Sequence, residues 1–293
     1  MAGTIYANCS TLKAHTGRTP CAKKEKRAIA LILTNPGASY PLDPETFNNG
    51  VQGWIEGEGS NKIWPVTQVI EAAQTGGDGL TSTIGYGGTI YTGINPYSVI
   101  YQIKGDICLA KELLKFNGAD MRLFRIDSDQ FIFGTEFTQI RGGTDTSVFR
   151  GFDVNIGVWD LEANGTDDYR LYIGVSYSAN YQNEKINMHG FKLDQLPEGL
   201  VGVRLQAVTG TAGAARVVGT CSGNDYTSEF GDEWTVGMFE NAAGAAPTSV
   251  TYNADNGTIV FAPTGAAYRI RPANILSAAG IYGLDGLDET TEL

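Results

Sequence analysis

The sequence predicts a mainly β protein: a β-sandwich or barrel with one packed α-helix, followed by a small C-terminal β-sandwich. Three observations predict it. About a dozen runs have strand-like content, rich in β-branched and aromatic residues. Only the segment from Asp106 to Phe116 has convincing helical spacing. Glycine makes up 38 of 293 residues, well above the usual share of about 7%. It has no fixed period, so it supplies tight turns rather than a collagen-like repeat.

Residues 1–27 are polar and basic and read as an arm. Ala28 to Thr34 is a continuous apolar run closed by Asn35-Pro36-Gly37, the pattern of a buried strand and a turn. Residues 37–62 hold two Pro and five Gly around Trp54, which predicts a long loop or protruding hairpin. Trp64 to Ile70 fits either strand or helix. Thr89 to Thr92 and Ser98 to Ile103 read as strands. The helix follows, with Asp106 as N-cap, an apolar stripe of Ile107, Ala110, Leu113 and Leu114, and Asn117-Gly118 as its left-handed stop. Leu113 and Leu114 are expected to be buried. Met121 to Ile126, Phe131 to Phe133, Phe152 to Trp159, Tyr169 to Tyr177 and Lys185 to Leu193 read as further strands, with Asn164-Gly165 in a turn.

Near Gln206 the composition turns rich in Ala, Gly and Thr and basic residues nearly vanish. Residues 28–205 are therefore read as one domain and 206–293 as another. Ser249 to Tyr252 and Thr258 to Phe261 flank an Asn-Gly loop, a clear hairpin pattern. With Tyr268 to Arg271 it suggests a β-sandwich of immunoglobulin-like size.

The chain carries a net charge of −11, unevenly spread. Residues 1–30 carry +5, residues 31–205 carry −9 and residues 206–293 carry −7. A basic head on an acidic body favours association between copies, unless the head is only a solubilising segment. The acidic body argues against wrapping DNA. Cys9, Cys21, Cys108 and Cys221 fit neither a zinc motif nor a redox pair. Cys108 reads as a core thiol, and Cys9 and Cys21 are close enough in sequence to bridge. The first residues lack an apolar signal-like run and no stretch reaches the length of a membrane span. The expectation is synthesis in a reducing cytoplasm with free thiols.

The search for chemistry returns little. His15 and His189 are the only histidines, with no cysteine or histidine close by, so a His triad or His-rich metal site is not expected. Asp127-Ser128-Asp129 lacks the rest of a calcium loop. Gly85 to Gly88 lacks the Lys-Ser/Thr of a phosphate cradle. Glu56 and Glu58 are neighbours on one segment, not the opposed pair that glycoside hydrolysis needs. Trp54, Trp64, Tyr91 and Tyr97 fit a sugar-binding platform or, more commonly, interface anchors. No cofactor, metal or enzyme activity is expected.

Several segments together resemble the tail-tube-like virion proteins of phages and prophages of Bacteroidetes. They are Thr16 to Cys21 leading into Ala28 to Leu33, the unit Tyr101 to Gly118 followed by Arg122 to Asp127, and the module ending Ala273 to Gly280. The resemblance implies hexameric rings that stack into a tube through which DNA passes without specific binding. It also implies an immunoglobulin-like domain on the exterior and a virion protein made in the host cytoplasm. Partners would be other copies of the chain and other tail or head proteins, with no membrane. Under that reading Lys23, Lys24, Lys26, Arg27 and Trp54 are candidates for ring stacking. Asp127 and Asp129 are candidates for the lumen, where carboxylates repel the phosphate backbone at close range. The first domain and its 37–62 segment exceed the minimal tube pattern. That keeps a capsid-decorating or connector protein open, and beside it a glycan-binding adhesin.

Overall fold

The structure, a computed structural model, describes residues 25–105, 107–141, 144–163, 168–287 and 289–293. In chain order its elements begin with β1 (Ala28–Thr34), β2 (Tyr40–Pro41), α1 (Pro44–Glu56), β3 (Ile63–Val66), β4 (Val69–Thr75), β5 (Gly79–Ile84), β6 (Gly88–Ile94) and β7 (Ser98–Ile103). Next come α2 (Ile107–Leu114), β8 (Asp120–Asp127), β9 (Phe131–Arg141), β10 (Thr144–Arg150), β11 (Phe152–Leu161), β12 (Arg170–Tyr177), α3 (Tyr181–Ile186) and β13 (Met188–Lys192). The rest are β14 (Val201–Ala207), β15 (Ala214–Gly219), α4 (Thr227–Phe230), β16 (Phe239–Asn241), β17 (Ser249–Asn253), β18 (Thr258–Ala262), β19 (Ala267–Ile270), α5 (Ala273–Ala278), β20 (Leu284–Gly286) and β21 (Thr291–Glu292). The chain is mainly β and its strands pair almost entirely antiparallel. Two compact units form, one from the described residues of Met1–Asn48 and Val66–Leu196, the other from Asn49–Pro65 and Pro197–Leu293.

In the first unit the strands run in the order β2-β10-β9-β8-β11-β12-β7-β4. β1 lies along β8 and β13 along β9. Strand β8 is where the sheet forks. β11 pairs with its first half, Asp120 to Leu123, and β9 pairs with Arg125 and Ile126. Gly151 sits at that fork, where a Cβ would meet the Leu123 amide at 2.8 Å. Alternation along β11 and β12 turns Phe152, Val154, Ile156, Leu171, Ile173 and Val175 inward. Tyr40, Phe47, Phe124, Phe149 and Phe191 make a dry aromatic cluster, with Phe124 to Phe149 at 4.9 Å and Phe47 to Phe191 at 5.1 Å between ring centres.

Strands β1 and β7 have the bounds the sequence predicts. The single helix does not hold: α1, α3, α4 and α5 stand beside α2. The largest correction is α1, inside the segment read as a loop. Asp43 caps it, accepting from the Thr46 amide at 2.8 Å and the Thr46 hydroxyl at 2.6 Å. Pro44 occupies the first helical position and Glu45 the first turn. Helix α2 forms as expected and packs on β11. Its left-handed stop is at Gly118, with φ of 78°. Ala110 and Leu113 are buried, but Leu114 and Ile107 are exposed, so only half of the predicted stripe is core. The proposed cap, Asp106, lies outside the described residues, as does the Asn164-Gly165 turn. Cys108 is disulfide-bonded rather than a free core thiol, and Cys221 is also in disulfide form. Cys9 and Cys21 lie outside the described residues.

The second unit has a five-stranded sheet in the order β17-β18-β15-β14-β20 and a three-stranded sheet β16-β19-β21. Only β14 and β20 among them run parallel. Val203, Leu205, Val217, Trp234, Phe239, Phe261 and Leu276 fill its core. The hairpin β17–β18 pairs Tyr252 with Ile259 and turns through Gly257 at φ of 58°. Residues 201–205, assigned from the sequence to the first domain, form most of β14 and belong to this unit. No helix among the described residues is long and apolar enough to cross a membrane.

Candidate functional site

The arm root and the β8–β9 turn bring several of the sequence-predicted residues together. Asp127 ends β8 and is 3% exposed. Its carboxylate accepts from the Asp129 amide at 2.9 Å, the Phe131 amide at 3.0 Å and the Lys26 amide at 3.3 Å. That is the work of a turn-holding group, and it buries the charge within the unit. Asp129 is half exposed and pairs with Lys26 Nζ at 2.7 Å. A proposed stacking residue and a proposed lumen residue thus neutralise each other within one chain. Arg27 donates to the carbonyls of Ile70 at 2.6 Å and Val69 at 3.5 Å. Lys23 and Lys24 lie outside the described residues. Trp54 lies on α1, half-buried, with its indole folded against Gly50, where a Cβ would come within 2.6 Å of the ring.

Beside the arm root lies a buried cation that sequence reasoning missed. Arg125, on β8, is 8% exposed. Its guanidinium donates to the hydroxyls of Tyr177 at 3.1 Å and Tyr181 at 2.9 Å and stacks 4.7 Å over the Phe152 ring. Its counter-charge is Glu25, with Nε to Oε1 at 2.8 Å and Nη2 to Oε2 at 3.0 Å. Burial alone would lower the Arg125 pKa, but Tyr177 and Glu25 outweigh it and the group stays charged. Burial lifts the Glu25 carboxyl above its ordinary value while Arg125 pulls the other way. Glu25, Lys26, Arg27, Tyr101 and Arg125 line an open cleft of about 600 Å³. In sequence Arg125 lies between Phe124 and Ile126, and that charge in a buried strand is a legible signal.

A second cleft, of about 180 Å³, is lined by Arg122, Glu136, Arg150, Asp153, Asn183 and Glu184, among others. Arg122 is 7% exposed and donates to Asp153 at 2.7 Å and the Ala38 carbonyl at 2.7 Å. Burial and the Asp153 charge push the Glu184 carboxyl up to about 7. Glu184 and Asp153 form a pair in which the Glu184 carboxylate accepts from the Asp153 amide at 3.3 Å. It is a contact pair, without the separation that acid and nucleophile need around a sugar.

The third feature is the hairpin β5–β6, a two-stranded sheet of its own. Gly76 and Gly77, at φ of 77° and 80°, bend the chain from β4 into it. A Cβ on Gly76 would lie 2.0 Å from the Pro96 carbonyl, so the bend needs glycine. Pairing of Ser82 with Ile90 and Ile84 with Gly88 puts Leu80, Ile84 and Ile90 on one face. All three are exposed, Tyr91 is 62% exposed and Tyr86 at the tip is fully so. Residues 79–103 contain no charged side chain. That charge-free run is visible in the sequence. Tyr97, once a partner of Tyr91 in the proposed sugar platform, instead packs edge-on against Tyr181 at 5.0 Å.

Among the described residues no group of three or more His, Cys, Asp or Glu is placed to hold a metal ion. His189 is half-buried, its pKa lowered by burial, and its ring packs on Phe149 at 5.9 Å. No family model and no curated protein matches the chain.

Proposed function

We propose that this chain is a self-assembling virion structural subunit, a tail tube protein whose rings stack around a conduit for DNA. The observation that carries the reading is the β5–β6 hairpin. A two-stranded sheet alone is marginally stable in water. Exposed strand edges are normally guarded by charge, proline or a covering element. Among the described residues no further strand pairs with this hairpin, which has an apolar face of Leu80, Ile84 and Ile90 and no charge over residues 79–103. Such a surface is suited to burial against another copy of the chain. The family resemblance supplies the hexamer and places the second unit, read as immunoglobulin-like, on the exterior. The net charge of −11 suits a wall past which phosphate must slide, since like charge repels within a Debye length of about 8–10 Å.

A glycan-binding reading draws less support, because Trp54 folds on Gly50 and Tyr97 packs on Tyr181. Negative-stain microscopy of the purified chain tests the proposal. Rings or tubes are the expected result. A monodisperse monomer at high concentration that binds a glycan array would overturn it.

A further inference from the structure

Arg125 is a buried cation whose counter-charge comes from the edge of the fold. The groups that frame it are fixed: Tyr101 on β7, Phe152 on β11, Tyr177 on β12 and Tyr181 on α3. All of them are neutral. The charge that balances it sits on Glu25, in the non-regular segment that precedes β1. Glu25 keeps 29% of its side chain exposed, and it lies on the wall of the open 600 Å³ cleft. The receiving groups therefore stand on regular elements and are buried, while the occupant comes from a non-regular segment and is partly exposed.

The receiving geometry is specific. A guanidinium presents two parallel donors along the edge through Nε and Nη2. Nη2 donates to Glu25 Oε2 at 3.0 Å, whereas Nε lies 2.8 Å from Oε1 as an ion pair and is a buried donor without a hydrogen bond. Nη1 is used by the two phenol oxygens, which orient the fork toward the cleft. We propose that Arg125 and its phenol frame form a carboxylate-binding site, with Glu25 as a tethered and displaceable occupant. When Glu25 withdraws, a carboxylate from elsewhere takes its place. Leaving a buried guanidinium unpaired is strongly unfavourable, so withdrawal and replacement are coupled. The inference stands apart from the assembly reading, because it concerns the isolated chain.

The test uses the full chain with Glu25→Ala, which empties the site while keeping Arg125. Thermal melting is followed at about pH 7.5, where acetate is ionised, in sodium acetate and in sodium chloride of matched ionic strength. The expected result is a lower melting temperature for Glu25→Ala than for the parent. Acetate should then raise it saturably, by several degrees more than chloride does, as mass action requires. The parent, with its site filled, should respond to the two salts alike. A Glu25→Ala chain that responds to acetate no more than the parent does would overturn the proposal. The same acetate gain persisting in Glu25→Ala/Arg125→Met would overturn it as well. Should that double variant fail to fold, the contrast between parent and Glu25→Ala still decides.

Discussion

Glu184 sits on α3 with its carboxyl against Asp153, within reach of Arg122 and in a cleft shared with Arg150 and Glu136. Burial and Asp153 raise it from an ordinary 4.5 to about 7, while the Asp153 amide and Arg122 pull it down. Below the ordinary value both folded and unfolded chains hold the proton and the group contributes nothing. Between the two values only the folded chain holds it, so stability falls as pH rises through that window and stays lower above it. Glu184→Gln should therefore gain roughly 1–3 kcal/mol over the parent above neutrality and little in acid. Urea melts of both chains in acid and in mild alkali check this, and a parallel pH dependence in both would refute it. Gly134 makes a purely steric counterpart. A Cβ there would stand 2.4 Å from the Arg150 carbonyl and 2.7 Å from the Phe124 ring. Gly134→Ala must move backbone or an aromatic core residue, at a cost of about 1–3 kcal/mol, readable as a lowered denaturation midpoint.

The β5–β6 hairpin forms a two-stranded sheet of its own. Leu80, Ile84 and Ile90 on its apolar face are exposed, so charging it should not unfold the chain. Ile84→Lys/Ile90→Lys is expected to keep the melting temperature of the parent, within about 0.5 kcal/mol for exposed sites, and to abolish rings or tubes under the microscope. Assembly at parental levels would remove the hairpin from the interface. The elements also show what the sequence could reveal. β1 and β7 were legible because β-branched runs bounded by turn residues have few competing readings. Helix α1 carried its own signals, Asp43-Pro44-Glu45 and apolar residues at Phe47, Val51, Trp54 and Ile55. Five glycines and two prolines in the surrounding segment masked them, and tertiary burial of Phe47 and Ile55 outweighed the poor local propensity. Leu114 was misplaced for a related reason. Helical spacing defines a stripe, but the width of the stripe that is covered depends on the partner strand β11. Asp127 looked like exposed turn charge because nothing in a sequence shows three amides converging on one carboxylate. The Arg125 frame draws on five elements far apart in the chain, which local patterns cannot assemble.

At the scale of the whole molecule the controlling quantity is how charge is divided. Residues 1–24 carry four basic groups and no acid, whereas residues 25–293 carry 17 basic and 32 acidic groups. Like charge of that size opposes close approach of two bodies, and the basic arm carries the opposite sign. Of the arm's basic residues, the structure describes Lys26 and Arg27. Lys26 and Arg27 are occupied within their own chain, by Asp129 and by the Ile70 carbonyl. Replacing them would disturb the arm root and blur any effect on assembly. Lys23 and Lys24 are therefore the informative pair. Lys23→Ala/Lys24→Ala should melt with the parent, within about 0.5 kcal/mol. Its assembly should need higher protein concentration. Added salt should also change that concentration less than it does for the parent, because fewer attractive contacts remain to be screened. Sedimentation across a salt series measures both quantities. Parental assembly with a parental salt response would show that the arm's charge is solubilising only, and that the hairpin face alone drives copies together.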